Sequence, residues 1–242
     1  VPFRGRELTS SWIALVAVRW VHLLGAAGLF GGSLFSIYAP QDVRRFCAAD
    51  RSMSAMLVAL AIAAFGSTLV WAVVTLASMS GDGIVSALDF RAWRMFVSET
   101  TFGTAWALSA VLALANIIVA LSARTQSRLA VLAGSSALLL ISHAWLGHAA
   151  ALDGATRLGV TLAYALHVLG AGAWFGGLLS LVVVLSSARR PGAAEFCDVG
   201  ALLERFSAIG LAAVAAIITG GVINAAAYAP SDVGAFFLSS WG

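Results

Sequence analysis

The sequence predicts an all-α polytopic membrane protein: a helical bundle with six visible transmembrane helices. The chain has 242 residues, of which 61% are hydrophobic and only 10% are charged, and its mean hydropathy is +0.95. This leaves too little polar surface to cover a soluble protein. Several apolar runs exceed the roughly 18 residues that cross a bilayer as a helix, whereas the alternating segments of a membrane β-barrel are absent.

Breaks in the apolar runs define the individual helices. We predict membrane helices over 11–38, 53–79, 101–122, 127–150, 157–187 and 203–229, joined by short loops. The first run is too long for the apolar core of a signal peptide and has no cleavage pattern before it. The first helix ends before Pro40, the second before the glycines at 81–83 and the fifth before the Pro-Gly pair at 191–192, because proline and glycine terminate helices.

The distribution of arginine predicts the orientation of the bundle. All 14 basic residues are arginine, and short loops that are richer in basic residues stay in the cytoplasm. One side holds Arg44, Arg45, Arg51, Arg124, Arg128, Arg189, Arg190 and Arg205, and the other holds Arg4, Arg6, Arg91, Arg94 and Arg157. The N-terminus is therefore predicted to lie outside, on the periplasmic side. No basic stripe is present, so nucleic acid is excluded as a partner and the lipid bilayer is the predicted environment.

A motif occurs twice, in helices that are both predicted to start outside. HLLGAAGLFGG begins at His22 and HVLGAGAWFGG at His167, and eight positions match in register through Leu34 and Leu179. The matches predict a parallel repeat, with a first half over 1–150 and a second half over 151–242. In the first half TTFG leads into two more helices, whereas the matching SSWG ends the chain. We therefore expect eight helices in the intact protein.

Glycines in the repeated motif predict close helix packing. Gly28 and Gly32 lie four residues apart, as do Gly172 and Gly176. This spacing puts each pair on one helix face and allows another backbone to come close within the membrane.

Four histidines are the candidate metal ligands: His22, His143, His148 and His167. All four fall in the outer half of the predicted membrane helices, where an imidazole without a hydrogen bond costs free energy. Neutral imidazole is a common ligand of copper and zinc. The simpler interpretation is that each ring only bonds a carbonyl or a serine on a neighbouring helix. His143 and His148 are about 140° apart on an ideal helix, so one ion binds both only if Gly147 loosens the turn.

Other residues provide weaker signals. Arg19 lies one turn before His22, where it either extends towards the interface or keeps a nearby imidazole neutral by repulsion. Cys47 and Cys197 follow the two copies of the motif and are too few for a disulfide framework. No nucleophile with a base, phosphate-binding loop or dinucleotide fingerprint occurs, so we do not predict an enzyme.

Three segments resemble a known family. They are GHA at 147–149, LHVLGAGAWFGGLLSL from Leu166 and RFSAIG at 205–210. They resemble the copper resistance protein D (CopD/PcoD) family of inner-membrane copper transport proteins. The resemblance implies an eight-helix inner-membrane protein that handles copper ion, usually beside a small periplasmic copper-carrier protein. It also implies a metal role for His148 and His167 and, through the repeat, for His22.

The leading functional hypothesis is copper transport across the inner membrane, contributing to copper homeostasis and resistance. In it, His148 accepts the ion and His22 with His167 hold it within the membrane. An alternative is a haem b electron-transfer protein with His22 and His167 as axial ligands. A third is a sensor or assembly partner whose histidines are structural.

Overall fold

The computed structural model describes residues 7–80, 83–146, 154–189 and 198–228. Within these ranges every regular element is a helix, which confirms the predicted all-α class. The α-helices are α1 (Glu7–Tyr38), α2 (Gln41–Ala49), α3 (Arg51–Ser80), α4 (Phe90–Glu99), α5 (Thr101–Leu121), α6 (Gln126–Ser142), α7 (Gly154–Ala188) and α8 (Val199–Tyr228). Short 3-10 segments span Gly83–Leu88, before α4, and His143–Leu146, after α6.

Six of the helices in these ranges are long and apolar enough to cross a membrane. The spans are Ile13–Tyr38, Arg51–Met79, Thr101–Leu121, Gln126–Leu146, Thr156–Ala188 and Val199–Ala227, which confirms the multi-pass prediction. The fourth membrane helix differs from its predicted bounds at the C-terminal end. Its α-helix ends at Ser142 rather than near 150 and continues as a 3-10 segment, a common way for the last helical turn to satisfy its carbonyls.

Two short helices occupy connections that were predicted to be short loops. Helix α2 buries Val43 and Cys47 on one face, and Asp42 lies in its first turn. Helix α4 buries Phe96, and the Asp89 carboxylate caps its first turn by accepting the Arg91 backbone N–H at 2.9 Å. Their 9 and 10 residues are too few to span a bilayer, so a search for apolar spans does not detect them.

Helix α1 lies at the centre of the bundle, in contact with α3, α6 and α7. Helix α5 packs against both α3 and α6, so these four helices enclose one core. Helix α8 packs mainly against α7 and is the least buried of the six spans. The interior of the bundle is therefore formed chiefly by α1, α3, α5, α6 and α7.

Close packing of the motif glycines occurs between α1 and α7, but the α1 position that faces the α7 backbone most closely is Gly31 rather than the predicted Gly28 and Gly32. A methyl group at Gly31 would overlap the carbonyl oxygen of Gly172. A methyl group at Gly176 would lie 2.6 Å from the carbonyl oxygen of Gly28 and from the amide nitrogen of Gly32. The two backbones are thus nearly in contact, and this crossing holds the two copies of the motif against each other.

Buried hydroxyl and amide groups join α5 to α6. The hydroxyls of Ser109 and Ser142 are 2.9 Å apart, and the Ser135 hydroxyl donates to the Asn116 amide oxygen at 2.7 Å. Interhelical hydrogen bonds of this kind hold membrane helices in one rotational setting. The Ser109–Ser142 bond lies directly before His143 and so fixes the end of α6 next to that residue.

Candidate metal site

His22 is held against α3 by one of its two ring nitrogens. Its Nδ1 lies 2.9 Å from the carbonyl oxygen of Ala64 and 3.0 Å from the Thr68 hydroxyl. A carbonyl oxygen can only accept a hydrogen bond, so Nδ1 has the proton and donates it. In a neutral imidazole the other nitrogen, Nε2, then has a free lone pair. The side chain of His22 is fully buried.

The hydroxyls beside His22 are consistent with a proton on its Nδ1. The Thr68 hydroxyl donates to the Ala64 carbonyl at 2.7 Å, and the Ser67 hydroxyl donates to the carbonyl oxygens of Ala63 and Ala64. Their protons are therefore used within α3, and towards Nδ1 these hydroxyls act as acceptors. Helix α3 thus supplies a set of oxygens around Nδ1 and leaves Nε2 to other partners.

His143 is held in the same tautomer by its own helix. Its Nδ1 lies 2.7 Å from the Leu139 carbonyl oxygen and 3.2 Å from that of Leu140. These are carbonyls of the last α6 turn, and the Leu140 carbonyl also accepts the backbone N–H of His143. The side chain is 5% exposed. Because Nδ1 donates here as well, the Nε2 of His143 also has a free lone pair.

The two histidines form a pair inside the bundle. Their ring centroids lie 4.5 Å apart with the ring planes tilted by 43°. Both Nε2 atoms are enclosed by protein and have no hydrogen-bond partner. A buried acceptor without a partner is costly, and such groups require a specific explanation. A metal–imidazole bond is about 2 Å long, so ring centroids 4.5 Å apart are close enough for one ion to contact both rings.

The donor set of this pair is small and uncharged. Among the described residues, no group of three or more His, Cys, Asp or Glu side chains is placed to hold a metal ion. The pair therefore offers two neutral nitrogen ligands and no carboxylate or thiolate. Carbonyl bonds to the opposite nitrogen orient both rings, as in many protein metal sites.

Trp71 forms an aromatic wall next to both rings. Its ring lies 6.3 Å from His143, nearly parallel at 17°, and 6.0 Å from His22. The guanidinium of Arg19 lies 5.0 Å from the centroid of the Trp71 ring, a cation–π arrangement. Arg19 thus places a positive charge over the ring that borders both histidines.

A cleft of about 350 Å³ leads to one member of the pair. Its lining includes Arg19 and Trp20 of α1, Trp71 of α3, His143 and Tyr164 of α7. His143 is therefore reached from the cleft, whereas fully buried His22 does not line it. The cleft lies towards the end of the bundle that holds the N-terminus of α1.

His167 occupies a different position from His22. Its Nδ1 lies 2.8 Å from the Ile217 carbonyl oxygen of α8, so it too has a free Nε2. It is half-buried and lines a cavity of about 460 Å³ that is also lined by Trp174. That cavity shares Trp20 and Tyr164 with the cleft at His143, so the two spaces are neighbours.

The structure thus brings two of the four predicted ligands together. His22 lies beside His143, and His167 lies in the adjacent cavity. His148 and Cys197 fall outside the described residues. Neither Trp71 nor the hydroxyls that surround His22 were predicted as part of the site. A usable signal was present, since Ser67 and Thr68 interrupt an apolar helix at the depth of His22.

Comparison with known proteins places the chain in a family. Residues 9–160 match the family described as copper resistance protein D-like, N-terminal domain. Inner membrane protein YebZ of Escherichia coli (strain K12) is 31% identical over 220 residues, which cover 90% of this chain and 72% of YebZ. Copper resistance protein D of Pseudomonas syringae pv. tomato is 29% identical over 216 residues, covering 86% and 68% of the two chains. No solved structure matches the chain. Because the family match covers more than half of its length, the chain belongs to the copper resistance protein D-like family.

Proposed function

We propose that this protein transports copper ion across the bacterial inner membrane and so contributes to copper homeostasis and resistance. The observation that supports this most directly is the His22–His143 pair, with its two enclosed and unpartnered Nε2 atoms. Both residues lie within the segment that matches the copper resistance protein D-like family. The pair is the proposed intramembrane copper site.

The small donor set suits transport rather than permanent storage. A transport site must bind the ion well enough to admit it and weakly enough to release it. Two neutral imidazoles meet this requirement better than a complete shell of four charged ligands. His167, in the neighbouring cavity, is a proposed second position on the path, and His148 is a proposed ligand at the entrance.

The proposed orientation sets where copper enters. The arginine distribution predicts that the N-terminus of α1 lies outside, and the cleft at His143 lies towards that end. Copper therefore enters from the periplasmic side, where a soluble copper-carrier protein is a proposed partner. Tyr164, Trp20 and Arg19 line the entrance and are the residues that such a partner or its ion meets first.

The test is copper binding and uptake by the purified protein in lipid vesicles. We expect His22→Asn and His143→Asn each to lose the bound ion and the uptake. Asparagine retains a side-chain N–H that can reach the carbonyl bonded by Nδ1, but it has no counterpart of Nε2. The matched control is Asn224→Ala, because the Asn224 amide donates only to Gly220 in its own helix. Full copper binding by both histidine variants would contradict the proposal and favour a sensor or assembly role.

His167→Asn provides a separate result. Retained binding with lost uptake would place His167 on the path beyond the pair. No observation favours the haem alternative, since His143 and Trp71 occupy the space around the His22 ring. A Soret absorption band in the purified protein would support that alternative and contradict the copper site.

A further inference from the structure

The ligand atoms of the His22–His143 pair are neutral, and the surrounding hydrogen bonds keep them so. Each Nδ1–H is bonded to backbone carbonyls, which cannot accept the proton fully, so neither ring becomes an anionic imidazolate. Within the described residues no carboxylate or thiolate joins the two rings in a metal-binding group. An ion bound there keeps its whole charge in a low-dielectric interior. The cost of burying an ion rises with the square of its charge, so a divalent ion costs about four times as much as a monovalent one.

The small number of ligands also favours a monovalent ion over a divalent one. Zinc in proteins is almost always four-coordinate, and Cu(II) prefers a tetragonal set of nitrogen and oxygen ligands. The hydroxyls of Ser67 and Thr68 cannot complete such a set, because they contact Nδ1 of His22 rather than Nε2. Cu(I) has a filled d shell and binds with as few as two or three ligands, and rings 4.5 Å apart meet one ion at a bent angle that leaves room for a third ligand.

Arg19 adds a third constraint at the entrance. It lines the cleft together with His143, and its guanidinium lies over Trp71. A fixed positive charge at this point repels a divalent ion about twice as strongly as a monovalent one. The cleft is therefore less accessible to Cu(II) and Zn(II) than to a monovalent ion.

We propose that the His22–His143 pair is selective for a monovalent d10 ion, Cu(I), over Cu(II) and Zn(II), and that Arg19 increases this selectivity. The proposal rests on the copper function proposed above and specifies the chemical form of the ion. Ag(I), which has the same charge and no accessible redox change, serves as a substitute for Cu(I).

The experiment compares four ions on the full chain in lipid nanodiscs. Cu(I) is maintained with ascorbate and competed against a Cu(I) chelator; Ag(I), Cu(II) and Zn(II) are titrated separately. We expect Cu(I) and Ag(I) to bind on the order of 100-fold more tightly than Cu(II) or Zn(II). X-ray absorption of the Cu(I) form is expected to show two imidazole nitrogens and at most one further light-atom neighbour. Arg19→Gln is expected to reduce the difference in affinity between the monovalent and the divalent ions, while the protein still binds Cu(I).

The outcomes separate this inference from the function on which it rests. Tight Cu(II) or Zn(II) binding that is lost in both His22→Asn and His143→Asn would overturn the selectivity and leave copper transport standing. Metal binding that neither substitution affects would overturn both. If the variants do not fold, the wild-type spectrum still decides, because four light-atom neighbours around Cu(I) would contradict a two-histidine site.

Discussion

Thr68 and Ser67 hold the Nδ1 side of His22 without competing for its Nε2. The Thr68 hydroxyl contacts both Nδ1 and the Ala64 carbonyl, and the residue is 1% exposed. This places oriented oxygens against the ring in a helix that is otherwise apolar. Partners behind a metal-binding histidine fix its tautomer and ring orientation, and their loss weakens metal binding.

We therefore expect Thr68→Val to weaken copper binding by about 10- to 100-fold while the fold is retained. Valine has a similar shape but cannot contact Nδ1 through oxygen, so the His22 ring gains rotational freedom. The measurement is the copper dissociation constant by chelator competition. Ser78→Ala is the control, because the exposed Ser78 hydroxyl donates only to Thr75 of the same helix. Equal affinity in wild type and Thr68→Val would show that α3 does not position the ring.

The sequence identified the histidines but did not predict which of them meet. The repeated motif suggested that His22 and His167 act together, since both occupy the same register. Whether two rings meet depends on the rotation of each helix about its axis, and small side-chain contacts decide that rotation. Here the Ser109–Ser142 bond and the 3-10 segment after α6 place His143 beside His22. A pattern of hydropathy contains neither piece of information.

At the scale of helices, the crossing of α1 and α7 depends on glycine. A side chain at Gly31 would overlap the Gly172 carbonyl, so the two helices would have to separate. Both helices line the cleft and the cavity at His167, so their separation also changes the proposed site. Glycines of both copies of the motif lie at this crossing.

We expect Gly31→Ala to destabilise the protein by about 1–3 kcal/mol, the usual cost of inserting a methyl group into a packed interface. The measurement is thermal unfolding in detergent, followed by the loss of monodisperse protein. Gly134→Ala is the matched control, because a methyl group there meets no atom within 4 Å. Alanine at Gly134 is expected to be neutral or to stabilise α6 by about 0.5–1 kcal/mol. Equal unfolding temperatures for Gly31→Ala and Gly134→Ala would show that α1 and α7 can move apart without loss of stability.

The long apolar helices were predictable, and the short amphipathic ones were not. A span of 18 or more apolar residues has few alternatives in a bilayer, so the six spans follow from hydropathy. Helices α2 and α4 mix charged residues with a few buried ones, such as Cys47 and Phe96. A segment of this kind is a helix only because the rest of the bundle covers its apolar face.

At the scale of the whole molecule, the described bundle is asymmetric about α1. Helices α3 and α6 pack on one side of it, where the histidine pair lies, whereas the cavity at His167 lies where α1 meets α7 and α8. The parallel repeat and the division into halves at residue 150 stay predictions. The proposed path of copper therefore crosses from the first predicted half to the second, through residues shared by the two spaces.

This path requires the cleft to face the periplasm, which the arginine distribution predicts. The prediction can be tested with single cysteines in a background with Cys47→Ala and Cys197→Ala. Gln41→Cys in α2 and Ser98→Cys in α4 both replace exposed, uncharged side chains, so neither alters the arginine balance that sets the orientation. A membrane-impermeant maleimide added to intact spheroplasts is expected to label Ser98→Cys and not Gln41→Cys.

Permeabilised spheroplasts provide the control for this labelling, since both cysteines must then react. Helices α2 and α4 lie at opposite ends of α3, so the two positions must give opposite results in intact spheroplasts. Labelling of Gln41→Cys alone would show that the bundle has the opposite orientation, with the cleft at His143 facing the cytoplasm. Copper would then reach the pair first from inside the cell, and a periplasmic carrier could not deliver the ion through this cleft.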